Sequence, residues 1–152
     1  MTQEEKELLL KELCSRLAYD LWVKYGGYNY VATGYVHGRI LLLPNVFSSA
    51  AGPCPLIEEV RPYLRPMSSM TEEEKKEFQE YVFESDEIGD VVTLNASDWL
   101  NKKMFDYRGL IQMGLALEAH GGMYSEMTCD NCPDKDSCSQ SEYVMANCYK
   151  LK

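Results

Sequence analysis

Leucines at positions 9, 10, 13 and 17 recur three and four residues apart, so the run from Thr2 to about Leu17 predicts a helix with one apolar stripe. Thr2 and Glu5 stand at capping-box spacing, where hydroxyl and carboxylate each answer a free amide at a helix start. Cys14 lies beside the stripe and is expected to be a small core residue. The pattern then changes to that of strands. Leu21–Tyr25 is bounded by Gly26-Gly27, a hairpin break, and Tyr28–Thr33 reads as a second strand that Gly34 bends or bulges. Val36–Leu43 continues after a turn near His37-Gly38, or as one long bent strand. Together these predict a small antiparallel sheet on the first helix, an SH3-like curl being one form it can take.

From Pro44 to Pro66 the chain is rich in Pro, Gly, Ser and Ala, which predicts loop with one short strand or turn at Leu56–Val60. A second capping box, Thr71 with Glu74, opens a helix to about Phe83, with Phe78, Tyr81 and Val82 expected on its inner face. Val91–Leu94 is short and apolar and reads as a strand. Ser97 is the expected N-cap of a helix through Trp99, Leu100 and Met104, and Asp106 that of another through Leu110, Ile111 and Leu115. Gly121-Gly122 closes the region. The fold class expected is α+β: a body over 1–122 and a tail over 123–152.

The chain has 152 residues and a net charge of −9. Its length allows a real core without disulfides. The acidic start lacks an apolar h-region, and no run approaches the ~18 residues of a membrane span, so a cytoplasmic location is expected. Eleven acids against four bases lie between Glu58 and Asp90. A solvated helix face is the plain explanation; a surface that meets a basic protein, by imitating nucleic acid, is the sharper one. Non-specific nucleic-acid binding is disfavoured, because it depends on neutralising phosphates. The eleven tyrosines suit half-buried strands and also contact surfaces.

Cys129, Cys132, Cys138 and Cys148 follow Cys-x2-Cys-x5-Cys-x9-Cys at the C-terminal end. In a reducing compartment clustered thiolates read as metal ligands. Two residues between the first pair let both sulfurs face one ion, and the polar turn after Pro133 can return Cys138. Four thiolates fit tetrahedral zinc, with metal–sulfur distances of ~2.3 Å, and they also fit an iron–sulfur cluster. Catalytic candidates are sparse. His37 and His120 are the only histidines, and Cys54 would need a base that the sequence does not supply. Phosphate-loop, dinucleotide and nucleophile-elbow motifs are missing.

The strings VRPYLRPMSSMTEEEKKEF (Val60–Phe78) and WLNKKMFDYRGLIQMGLALEA (Trp99–Ala119) resemble an uncharacterised family of small proteins from Bacteroides-type gut bacteria and their phages and mobile elements. The resemblance covers roughly residues 8–124. It implies a phage or mobile-element context and carries no activity, cofactor or catalytic residue. The tail resembles short phage-encoded four-cysteine proteins, although Tyr149 follows Cys148 at a slightly different offset.

These features lead to a non-enzymatic accessory protein that binds a protein or small ligand, with a structural zinc module. Two alternatives stand beside it. One is an anti-defence protein that masks a host effector or sequesters a nucleotide signal. The other is a nucleic-acid-associated zinc knuckle. A homo-oligomer is open in each case.

Overall fold

The computed structural model describes residues 1–44, 52–83 and 89–124. Residues Met1–Ala119 form one unit and His120–Lys152 a second, and the description below concerns the first. The expected N-terminal helix, α1, spans Gln3–Arg16. Its capping box is formed, with the Glu5 amide donating to the Thr2 hydroxyl and the Thr2 amide donating to the Glu5 carboxylate at 2.7 Å. Leu9 and Leu13 are fully buried, which is worth ~1.5–3 kcal/mol each. Leu17 is half-buried in a short 3-10 turn after the helix. Cys14 is exposed and is not the core residue expected. It stands outside the i, i+3, i+4, i+7 face formed by Leu9, Glu12, Leu13 and Arg16, which is the buried one.

The two hairpins form as the pattern predicts. They comprise β1 (Trp22–Tyr25), β2 (Tyr28–Val36) and β3 (Arg39–Pro44). Both turns have two residues with positive φ, Gly26-Gly27 at 56° and 89° and His37-Gly38 at 50° and 82°. That is the twist which joins adjacent antiparallel strands tightly. The expected irregularity at Gly34 is a register shift between Ala32 and Gly34. The sheet is larger than three strands and is mixed, not purely antiparallel. Its order is β3-β2-β1-β4-β5, with β4 at Arg61–Leu64 and β5 at Leu117–Glu118. β4 is antiparallel to β1, while β5 is parallel to β4.

The free edge of β3 is covered by Gly52–Leu56. The amides of Ile40 and Leu42 donate to the carbonyls of Pro55 and Pro53 at 3.0 and 3.2 Å. Prolines offer no N–H in return, so pairing stops there. The approach is close enough that a Cβ on Gly52 would fall 1.9 Å from the Leu42 carbonyl oxygen. The segment expected as a strand or turn at Leu56–Val60 is a 3-10 turn over Ile57–Glu59.

The second capping box also forms: the Glu74 amide donates to the Thr71 hydroxyl, and the Thr71 amide donates to the Glu74 carboxylate. It opens α2, Glu72–Phe83. Phe78 faces the core, but Tyr81 is 43% exposed, against expectation. The next helix, α3, runs over Gly89–Lys102. It absorbs Val91–Leu94, expected as a strand, and carries Ser97 in its interior and not at its start. Val92, Ala96, Trp99 and Leu100 recur at helical spacing, so the apolar run belonged to a longer amphipathic pattern.

No helix follows Asp106 among the described residues. Met104 takes φ 61° and Gly109 and Gly114 take 77° and 72°, which interrupts helical geometry. Asp106 instead anchors a turn, accepting from the amides of Leu110 and Ile111 at 2.8 and 2.9 Å. The chain at Met104–Asp106 is drawn alongside β4. The Arg65 amide donates to the Met104 carbonyl, and the Asp106 amide donates to the Arg65 carbonyl.

Two polar clusters fasten these elements. Arg16, fully buried, pairs with buried Glu12 one helical turn away and donates to the Phe105 carbonyl at 2.9 Å. Arg108 forms a second ion pair with Glu12, and both guanidiniums lie over the Tyr107 ring at 5.5 and 5.0 Å. Arg65 grips Glu74 through two bonds of 2.7 and 2.8 Å and lies 4.2 Å over the Phe105 ring. The other side of this apolar group is a stacked Trp99–Phe105 pair, with Phe78 tilted against Trp99. Glu77 accepts from the Trp99 indole and from Lys103.

Removing Glu12 would leave two cations facing each other. Nε of Arg16 already lacks a partner among the described residues. Glu12→Leu is expected to cost ~3–5 kcal/mol in urea unfolding, while the double variant Glu12→Leu/Arg16→Leu loses less than the two singles combined. A single-variant loss under ~0.5 kcal/mol, the range of surface changes, would show that the pair is not buried in solution.

The Arg65 guanidinium holds Glu74 below the ordinary carboxylate range, against the opposing effect of partial burial. A carboxylate whose pKa is lowered on folding contributes stability that is whole above its unfolded value, about 4.3. That contribution is lost as pH falls through the lower, folded value. The stability gap between the parent and Glu74→Gln should therefore be steady between about pH 6 and pH 5 and close below about pH 4. Urea titrations at each pH measure it; a gap that ignores pH would remove the pair from the acid response.

Candidate interaction surface

The candidate catalytic groups do not assemble. His37 is a turn residue in left-handed conformation, and it is exposed. His120 is exposed and belongs to the second unit. Cys54 is exposed between its prolines, and its carbonyl accepts from Arg39 at 2.9 Å. Partial burial pushes the Cys14 thiol upward, the opposite of nucleophile activation. Among the described residues no group of three or more His, Cys, Asp or Glu side chains is placed to hold a metal, and no helix is long and apolar enough to cross a membrane. Cys129, Cys132, Cys138 and Cys148 lie outside the described residues.

The acidic stretch is more than a solvated face. Glu58, Glu72, Glu74 and Glu77 pair with Lys6, Lys75, Arg65 and Lys103 respectively. Glu58, Glu74 and Glu77 tie the 3-10 turn and α2 to other segments, while the Glu72–Lys75 pair lies within α2.

The sheet presents a different surface. In an antiparallel pair, opposed residues share a face and alternate residues along a strand change face. Ile40 and Leu42 are buried, so Arg39, Leu41 and Leu43 share the outer side. Their register partners Val36, Gly34 and Val31 lie there too. Val36 is 46% exposed, Leu41 39% and Leu43 46%. Leu41 extends across the strand boundary, where a Cβ on Gly34 would meet its Cδ1 at 3.1 Å. Glycine at that position leaves room for the leucine to lie flat.

Cations stand at both ends of this apolar strip. Lys24 pairs in register with Asn29 at one end, and Arg39 pairs with Val36 at the other. Arg61 sits beside Lys24 on the next strand. Among the described residues none of the three has a carboxylate partner. The Arg39 guanidinium is fixed by Cys54, and that of Arg61 by the carbonyls of Glu58 and Val60.

Sequence patterning alone did not select these residues, because alternation does not say which side of a strand is covered. One signal was available. No Asp or Glu occurs from Leu21 to Ile57, 37 residues of a chain that carries 24 acids. That run holds Lys24 and Arg39, so the remaining 115 residues sum to −11. Charge asymmetry of this kind marks a face with its own electrostatic character. In comparisons with known proteins, no family model, no curated protein and no solved structure matches the chain.

Proposed function

We propose that this chain is a non-enzymatic binding protein that docks a protein partner on the outer face of its β2–β3 hairpin. The observation that carries the reading is the strip of Val36, Leu41 and Leu43, exposed side by side between two cations. Exposed apolar groups in water have an unfavourable hydration that contact with a partner relieves. The sheet is a rigid platform for them, since its opposite face is buried and the β3 edge is already covered by Gly52–Leu56. The resemblance of Val60–Phe78 and Trp99–Ala119 supports an accessory role in a phage or mobile element.

A photo-crosslinking residue at position 41 tests this directly, with one at position 73 on exposed α2 as control. In a Bacteroides-type host, position 41 should give discrete protein adducts that Leu43→Ser weakens, and position 73 should not. Adducts independent of position, or none from position 41, would overturn the docking face.

The four-cysteine tail belongs to the proposal as a zinc staple. The support is its donor set: four thiolates, the first pair at knuckle spacing, match a tetrahedral ion that keeps no open position for chemistry. Nearby Lys135 would offset part of the −2 charge of such a site. Elemental analysis of the purified chain should find about one zinc, and Cys132→Ser should lose it. Chelation should raise hydrogen exchange after about Gly122 and leave exchange in α1 and β1–β4 unchanged, because metal binding orders a segment too short for a core. Iron with visible absorption would replace zinc by a cluster, and a metal-free protein would remove the staple.

A further inference from the structure

Resting on that reading, we infer that the outer face of the β2–β3 hairpin takes an extended acidic protein segment, with two carboxylates about six residues apart and apolar side chains between them. The spacing follows from the register. Lys24 stands opposite Asn29 and Arg39 opposite Val36. Asn29 to Val36 is seven steps along β2, one of them partly taken up by the bulge, and Lys24 and Arg39 lie on the two strands that flank β2, so their backbone positions are separated by about 22 Å. An extended segment covers that length in about six residues. Val31, Leu41, Leu43 and Val36 lie between the cations and would meet the segment's apolar side chains.

Charge decides the sign of the partner. The face belongs to the only long acid-free run of an otherwise acidic chain, and its cations have no carboxylate partners among the described residues. A basic segment would meet Lys24, Arg39 and Arg61 unopposed. An acidic one would be attracted by them and repelled by most of the remaining surface, which favours this one docking place. Nucleic acid fits less well. Three cations neutralise few phosphates, and the chain as a whole is −9. Pairing at the sheet edge is also disfavoured, because Ile40 and Leu42 already donate to Pro55 and Pro53.

The test is selection of displayed random dodecapeptides on the full chain, with counter-selection on Leu41→Ser/Leu43→Ser. Both serines replace exposed side chains, and an unchanged urea midpoint would confirm that the variant is folded. Recovered peptides should be enriched in Asp or Glu spaced about six residues apart. A synthetic representative should lose affinity on the order of tenfold on Lys24→Gln/Arg39→Gln, and should weaken as salt is raised. Peptides that need Leu41 and Leu43 but lack paired acids, or that ignore Lys24 and Arg39, would overturn the acidic-segment inference while leaving the docking face in place. Peptides indifferent to Leu41 and Leu43, or no peptides, would overturn both. Self-association, or binding of an oligothymidylate, that disappears in Leu41→Ser/Leu43→Ser would assign the face to a different occupant and also overturn the inference.

Discussion

The interior of this protein contains a guanidinium. Arg16 is fully buried, and its planar group carries N–H donors on every side and no acceptor. Burial of such a group is tolerable only where acceptors are already in place. Glu12 supplies one from the same helix, which fixes the rotation of α1 about its axis, because positions 12 and 16 must face inward together with Leu9 and Leu13. The Phe105 carbonyl supplies another from a segment 89 residues away. The buried guanidinium therefore gains this second acceptor only when the later chain has returned to the first helix.

Phe105 is where that return is enforced. Its carbonyl accepts from Arg16, its amide donates to Leu100, and its ring lies between the Arg65 guanidinium and Trp99. Arg65 in turn carries Glu74, which is itself half of the capping box that starts α2. One aromatic residue thus links α1, the end of α3, β4 and the start of α2. The two buried or half-buried arginines stabilise through geometry: each planar guanidinium satisfies a carboxylate and a carbonyl or ring at once, which a lysine could not do.

What was legible in the sequence follows from how local each feature is. The capping boxes at Thr2 and Thr71 and the turns at Gly26-Gly27 and His37-Gly38 involve neighbours only, and the structure forms all of them. Glu12 and Arg16 were passed over because charge reads as exposure, although they complete the face begun by Leu9 and Leu13 at i, i+3, i+4 and i+7. β4 was hidden by Pro62, a residue that reads as loop yet stands opposite Val23 inside the sheet. β5 is two residues long and parallel, so it exists only through its contact with β4. A short run such as Val91–Leu94 suits a strand or a helix equally, and only Ala96, Trp99 and Leu100 beyond it decide the period. The residues of the candidate face, like β5, are defined by pairing between strands; the acid-free run from Leu21 to Ile57 marks their region but does not pick them out.

Charge placement connects the fold to the proposed role. Some acids of α2 and of the 3-10 turn are paired across elements, with Lys6, Arg65 and Lys103. Among the described residues the hairpins carry no ion pair; their positions are set by tight turns, backbone ladders and the buried side of the sheet. Exposed apolar residues such as Val36, Leu41 and Leu43 carry a cost in solubility. An acidic chain also repels further copies of itself, which limits the aggregation that such a strip would otherwise favour. The acid-free face and the acidic remainder of the chain thus act in opposite directions on association: one exposes apolar area, the other keeps copies apart.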